Sequence, residues 1–187
     1  MWVNHGDYAP TKEIPVSCVP GGEQILGPVV LGPGYRVYGR VNDTGGNPLQ
    51  AQVHIELQSR TARAGDPAKQ AENDRALGRI IETATDKDGG YEIPRLAQGV
   101  WTLTATCAGF GAGRIMPVVL MGEEVESRQN LELGPEIVLG GVVVDANGQP
   151  VEGAKVSVSR TRPRPLFGAD TLTGKDGKFL VEGLPEG

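Results

Sequence analysis

The stretch TDKDGGYEIPRLAQG, Thr85 to Gly99, returns as TGKDGKFLVEGLPEG, Thr173 to Gly187, 88 residues further along. Thr, Lys, Asp, Gly, Leu and Gly recur in register, and Tyr91/Phe179 and Ile93/Val181 exchange like for like. Fixed-period self-similarity points to one supersecondary unit used more than once, which limits the fold more than composition does. A second match, VYGRVNDTGGNPL at Val37–Leu49 on LGGVVVDANGQPV at Leu139–Val151, runs at a shift of 102. The difference between the two shifts falls on the tract from Ser59 to Arg79, whose counterpart around Arg160 to Ala169 is shorter. The shift of 102 continues upstream, where Ile14–Gly34 lies without gaps on Met116–Glu136 and Tyr8 falls on Phe110. The expected organisation is therefore the end of one repeat over 1–33, a complete repeat over 34–135 and the first part of another over 136–187.

About 100 residues is enough for a module that folds on its own core without a metal or disulfide staple. Val37, Gly39 and Val41 alternate, as do Val53, Ile55 and Leu57, then Tyr91 and Ile93, then Trp101, Leu103, Ala105 and Cys107. A period of two is that of half-buried strands, and these rows are the expected core faces, with Cys107 as a small buried residue. The turns NDTGGNP and VDANGQP combine glycine, which tolerates positive φ, with Asp and Asn that bond their own backbone. A strand over Arg114–Leu120 is expected to close a hairpin across Gly109, Gly111 and Gly113. The count is about seven strands per complete repeat, an all-β sandwich of the Ig-like or transthyretin-like kind. DPAKQAENDRAL reads either as a solvated loop or as a short helix capped by Asp66 and started by Pro67.

The pattern G-x-V-x-D-x-x-G-x-P-V-x-G-A-x-V over Gly141–Val156, T-x-x-D-G-x-F over Thr173–Phe179, and L-x-x-G-x-W-x-L with A-G-F over Leu96–Phe110 resembles the carboxypeptidase regulatory-like domain, a transthyretin-like β-sandwich. That resemblance implies a noncatalytic module of secreted or cell-envelope bacterial proteins, found beside peptidases, in receptors and in surface arrays. It also implies a fold shared with starch-binding-like domains, so carbohydrate is a candidate ligand. The first strands, Tyr35–Asp43 and Ile137–Asp145, hold no lysine of the kind that forms isopeptide bonds in the similar collagen-adhesin repeats. The tyrosine-arginine-glycine-serine ending of transthyretin-like hydrolases is missing. The two His and two Tyr that related intradiol dioxygenases place on iron are not matched, because His5 and His54 fall in different repeats and His54 points outward.

Asp86 and Asp88 in DKDGG begin like a calcium loop, but the twelfth position counted from Asp86 is Ala97 and the second copy has Gly174 in place of Asp86. A tight turn is the stronger reading, and no metal or cofactor is expected. Trp2, Tyr35 and Tyr38 are the candidate carbohydrate-stacking residues, with packing between repeats as the competing role. Glu123, Glu124 and Glu126 read as a solvated cluster, and no nucleophile with a base and an orienting group can be assembled, so no enzyme is expected. Cys18 and Cys107 occupy different repeats and positions, so no disulfide is expected. A net charge of −5 disfavours nucleic acid, and Arg160, Arg162 and Arg164 read as a solvated loop. No apolar run is long enough to span a membrane.

The expected function is a spacer or adhesion scaffold in a tandem array, its units joined by the short linkers LGPG and LGPE. The expected partners are neighbouring repeats of the same chain, and a polysaccharide or a surface protein. The alternative is a carbohydrate-binding or regulatory accessory domain of a larger hydrolase or peptidase.

Overall fold

The computed structural model describes residues 1–11, 14–17, 19–58, 67–159 and 168–185. Cys18, Asp66, Arg160, Arg162 and Arg164 lie outside the described residues. The described residues are all-β apart from one helix. Its middle region runs β1 (Tyr35–Asp43), β2 (Gln52–Leu57), α1 (Pro67–Ala76), β3 (Ile80–Ala84), β4 (Gly90–Leu96), β5 (Gly99–Thr106), β6 (Gly113–Leu120), β7 (Glu126–Arg128) and β8 (Leu131–Leu133). One sheet is β4-β1-β7 with β8 also on β1, and the other is β3-β2-β5-β6.

The two sheets face each other across a single core, and the alternation dictates which side chains enter it. Val37, Val41, Ile55, Trp101 and Leu103 are each 0% exposed, and Val53 and Ile93 are nearly so. Each such side chain contributes on the order of 1.5–3 kcal/mol by leaving water. Trp101 fits because its indole Nε1 donates to the Ala97 carbonyl at 3.1 Å, which satisfies its one polar atom. Cys107 departs from expectation. It sits just past the end of β5, where the strand leaves the sandwich, and is only half-buried, its Sγ 3.5 Å from the Gln50 carbonyl.

Against the expected count of about seven there are eight strands: the one expected over Arg114–Leu120 is β6, and β7 and β8 follow it. β7 and β8 both run parallel to β1, from Arg36↔Glu126 to Asp43↔Leu133, with Gln129 and Asn130 between them. At that break the Gln129 amide donates to the Tyr38 carbonyl, Asn130 Oδ1 accepts from the Arg40 amide, and the Tyr91 hydroxyl donates to the Gln129 carbonyl at 2.6 Å. Gly39 allows it, because a Cβ there would overlap the Gln129 carbonyl.

Helix α1 opens on Pro67 and closes on Gly78, at φ +66°. Its last carbonyls are capped from the N-terminal segment: Trp2 Nε1 donates to Leu77 O at 2.6 Å and Asn4 Nδ2 to Ala76 O at 2.9 Å. The described residues of 1–33 form no strand beyond a bridge between His5 and Tyr8, although the matched stretch Met116–Glu136 contains most of β6 and all of β7 and β8. A strand requires a neighbour's edge, and the described residues of 14–31 pair with none.

Beyond Pro135 the chain forms β9 (Ile137–Val142), β10 (Lys155–Ser159), β11 (Gly168–Leu172) and β12 (Lys178–Leu184). β9 pairs with β12 and β10 with β11, as β1 pairs with β4 and β2 with β3. Register agrees residue for residue: Gly39↔Tyr91 becomes Gly141↔Phe179, and Val37↔Ile93 becomes Leu139↔Val181. Val53↔Thr83 becomes Val156↔Thr171, one place later than a shift of 102, because Gly153 at φ +70° adds a residue to the turn.

Gly39→Ala should destabilise the chain by about 1–3 kcal/mol, since the added methyl forces the β7–β8 crossing off β1. Urea unfolding followed by Trp101 fluorescence measures it, and an unchanged midpoint would mean that the crossing moves freely.

Candidate functional site

The repeated TDKDGG and TGKDGK motifs form the same joint twice. Thr85 Oγ1 donates to the Leu49 carbonyl at 2.7 Å and accepts from the Ala51 amide at 2.8 Å. Thr173 Oγ1 donates to Val151 O at 2.6 Å and accepts from the Ala154 amide at 2.8 Å. Gly89 and Gly177 have φ of +72° and +69°, and a Cβ on either would press into the Val41 or Val143 carbonyl and into Pro48 or Pro150. Both glycine carbonyls accept at 2.9 Å, from the amides of Val41 and Val143. Each motif therefore fastens the turn before β4 or β12 to the turn after β1 or β9.

Asp86, one of the two calcium candidates, is used by this turn. Its Oδ1 accepts from the Asp88 and Gly90 amides, both at 2.8 Å. In the second copy, where Gly174 replaces Asp86, Asp176 Oδ1 accepts from the Lys178 amide instead. Asp88 is an exposed turn residue, and among the described residues no three His, Cys, Asp or Glu converge as a metal site. Asp43 Oδ1 accepts from the Gly45 and Asn47 amides, and Asp145 Oδ1 from those of Asn147 and Gln149. Those bonds hold both carboxyls below the usual carboxylate range, Asp43 chiefly through the Asn47 side chain and Asp145 through the Gln149 amide.

The candidate aromatics are not brought together. Trp2 caps α1 and carries the Arg79 guanidinium 4.4 Å above its ring. Tyr35 packs on the core and donates to the Gly122 carbonyl at 2.9 Å. Tyr38 lies on the outer face under Arg36, at 4.8 Å. Arg36 also pairs with Glu92 at 2.8 Å and Glu126 at 2.9 Å, which takes Glu126 out of the Glu123–Glu124 group. His54 points out of the sandwich, with Nδ1 3.5 Å from Glu82 and Nε2 3.9 Å from Glu56. The Glu56 carboxylate, and Glu82 after it, raise its pKa above the ordinary histidine value.

The arrangement that sequence reasoning missed lies at the two linkers. Ala9 N donates to Gly32 O at 3.0 Å, and 102 residues on Gly111 N donates to Gly134 O at 3.0 Å. Tyr8 N donates to His5 O at 3.1 Å, and Phe110 N to Cys107 O at 3.1 Å. The loop carrying these bonds is pressed against the following unit in both cases. Ala9 lies at Gly34 beside the Leu96 carbonyl, and Gly111 lies at Pro185 beside the Leu184 carbonyl, Leu184 being the repeat of Leu96. At the second linker Ala112 N also donates to Gly183 O, and Glu136 Oε2 accepts from Gly183 N, both at 3.0 Å. The Tyr8/Phe110 match was the signal in the sequence that contained this, but backbone bonds leave no residue signature.

These features define a class of protein, all-β with two-sheet sandwich packing, structural turns and linker bonds that recur at a shift of 102. Within it, residues 138–187 match the family model of the carboxypeptidase regulatory-like domain. No curated protein matches the chain. Among solved structures it is similar to a streptococcal ancillary pilin, at 17% identity and TM-score 0.36, over 82% of this chain and 51% of that one. It is also similar to hydroxyquinol 1,2-dioxygenase from Pseudomonas putida DLL-E4, at 12% identity and TM-score 0.37, over 55% and 57% of the two chains. A third is GBS52, the minor pilin of Streptococcus agalactiae, at 14% identity and TM-score 0.32, over 82% and 80%. The chain spans about half the length of the ancillary pilin. At these values the likenesses say nothing of function.

Two outcomes follow from the turns. Thr85→Val keeps the shape but orphans the Ala51 amide and the Leu49 carbonyl, and should cost about 1–3 kcal/mol in urea unfolding, with Thr85→Ser recovering most of it. A loss in Thr85→Ser with none in Thr85→Val would show that the methyl, not the hydroxyl, holds the joint. Asp43 and Asp145 have depressed folded-state pKa values, so their stabilisation is whole above the unfolded value of about 3.9 and is lost as pH falls through the folded ones. The melting temperature should therefore drop below about pH 4. Asp43→Asn with Asp145→Asn should flatten part of that drop, and an unchanged acid limb would remove these turns from the account.

Proposed function

We propose that the chain is a noncatalytic structural module: a stretch of a tandem array in a secreted or cell-envelope protein, acting as spacer or adhesion scaffold. Its units are 1–33, the end of one repeat, 34–135, a whole repeat, and 136–187, the beginning of a third. The observation that carries this reading is the linker geometry, the same bonds occurring at 5–34 and 107–136 with the loop of one unit seated on the next. A repeated junction with a short proline-containing linker sets one angle per step, so the array forms a semi-rigid rod that holds what lies beyond it away from a surface.

Several of the candidate groups already have a structural task. Asp86 holds a turn, Trp2 caps a helix, Tyr35 is tied to Gly122 and Glu126 is paired with Arg36. The partners are the neighbouring repeats, with polysaccharide or surface protein contacted by the array as a whole. No helix among the described residues is long and apolar enough to cross a membrane, and the charge of −5 does not suit nucleic acid.

Small-angle scattering extrapolated to zero concentration tests the rod. The expected pair-distance distribution is elongated, with a shoulder at the spacing between neighbouring units. A compact, single-peaked distribution would overturn the reading.

A further inference from the structure

Helix α1 lies in the middle unit by sequence but is held at its C-terminal end by the segment that precedes that unit. Its ten residues, PAKQAENDRA, are polar all round, the pattern of a helix that bridges between domains rather than one seated on a core. So short a helix is marginal in water by itself. One tie to its own sheet is the Arg75–Glu82 pair at 2.9 Å. From the other side Trp2 donates to the Leu77 carbonyl and Asn4 to that of Ala76. The Trp2 ring lies under the Arg79 guanidinium, and a Cβ at Gly78 would press on Pro10. The Arg79 side chain is 11% exposed, with Asp74 3.3 Å away and Nε buried without a hydrogen-bond partner, so the indole face covers a nearly buried charge.

Trp2 and Asn4 occupy identifiable positions in a sandwich. Thr11 N donates to Val3 O at 2.9 Å and Val3 N to Thr11 Oγ1 at 3.1 Å. At a shift of 102 these are Ala105 and Gly113, which pair at the end of the β5–β6 hairpin. Trp2 and Asn4 then stand where Thr104 and Thr106 stand, beside His54 and Gln52 and on the opposite face from the buried Leu103 and Ala105. They are outer-face positions at the end of β5 nearest the linker, so α1 reaches back onto the outer face of the unit before its own. At the second junction Thr104 and Thr106 offer neither an indole nor a carboxamide, and the tract around Arg160 to Ala169 is shorter than the one that carries α1.

We propose that α1 is a brace between repeats, an interaction surface whose partner is the outer face of the preceding unit where its β5 ends in Trp-x-Asn. The indole gives one hydrogen bond and a ring face for Arg79, and the carboxamide gives a second bond. Both go to carbonyls at the end of the helix, the groups a helix cannot satisfy for itself. The brace attaches away from the linker. Ala9 presses on Gly34 at the linker itself, while α1 grips the hairpin from the side. Two separated attachments fix an angle, where one leaves a hinge. A step without the Trp-x-Asn pair keeps only the bonds at its linker, so the bending of the array is set by which units carry the helical tract and which carry its partner residues. The inference rests on the array reading, through the correspondence of 1–14 with 103–116.

The test is a pulsed electron-resonance distance measurement on the full chain carrying Cys18→Ser and Cys107→Ser. Nitroxide labels on Gly6→Cys and Lys87→Cys span the first junction, and labels on their counterparts, Ala108→Cys and Lys175→Cys, span the second. Trp2→Ala should broaden the first distance distribution about twofold, because relative motion is the default where little joins two domains, and should leave the second unchanged. Arg79→Gln should broaden the first as well, and the two substitutions together should broaden it no further, since both remove one contact. Trp2→Phe, which keeps a ring but no donor, should speed hydrogen exchange of the Leu77 and Gly78 amides about tenfold, the worth of one hydrogen bond, while the amides of β2 and β5 keep their protection. A first distribution that Trp2→Ala leaves unchanged, or broadening that is equal at the two junctions, would overturn the brace. An elongated scattering profile with an unmoved distribution removes the brace alone, and a compact profile with a Trp2-dependent distribution removes the rod alone.

Discussion

The threonine hydroxyl at position 85 joins two crossings that the fold must make at the same place. Between β1 and β2 the chain leaves one sheet for the other, and between β3 and β4 it returns. Each crossing interrupts a ladder and leaves backbone groups without partners at the rim of the core, a costly position for an amide or a carbonyl. Thr85 supplies a donor to Leu49 and an acceptor to Ala51 from a single side chain, and Gly89 brings the second crossing close enough for its carbonyl to take the Val41 amide. With both crossings fixed, the spacing of the two sheets is fixed, and the inward rows of Val37, Val53, Ile93 and Leu103 are buried in one cluster. That Thr173 and Gly177 rebuild every one of these bonds explains why this motif, rather than a core strand, carries the strongest self-similarity in the chain.

Much of the fold was legible in the sequence because the signals involved are local. Alternation placed Val37, Val41, Val53, Ile55, Trp101 and Leu103 inside, and their burial agrees. The turn chemistry of Asp43 and Asp145 could be read from residue types alone. Cys107 was misplaced because alternation continues one step past the point where β5 leaves the sheet, and a period of two cannot show where a strand stops. The break between β7 and β8 was invisible for a different reason: it depends on Gly39 in another strand. Helix α1 could not be told from a loop, because its residues are polar all round and its C-terminal carbonyls are satisfied from Trp2 and Asn4, some 70 residues away.

The candidate sites were legible as residue types but not as roles. Asp86 and Asp88 look alike in sequence, yet the backbone folds onto Asp86 and leaves Asp88 at the surface. Trp2 and Tyr38 both looked available to a ligand, and each instead carries an arginine over its ring. An acceptor or an aromatic face is a capacity, and which group uses it is decided by chain geometry. The linkers illustrate the converse case: their bonds run between main-chain atoms of Ala9 and Gly32, or Gly111 and Gly134, so the function proposed for the chain rests on groups that every residue possesses.

One place where the two copies differ in backbone chemistry lies at the linkers. Arg95 holds φ at +60°, a region that costs a side-chain-bearing residue on the order of 1 kcal/mol, while its counterpart Gly183 holds +68° without that cost. Both sit at a register shift near the end of β4 or β12, so the sheet requires the left-handed conformation in either copy. What differs is the surroundings. At Gly183 both backbone polar groups are engaged by the junction, the amide by Glu136 and the carbonyl by the Ala112 amide. At Arg95 the residue aligned with Ala112 is Pro10, which has no amide to give, and the residue aligned with Glu136 is Gly34, which has no carboxylate. A Cβ at Gly183 would meet nothing within 4 Å, so neither junction excludes a side chain at this position, and glycine there spares only the backbone strain that Arg95 bears. The two linkers therefore share one framework of backbone bonds, and the second adds to it the two bonds made at Gly183.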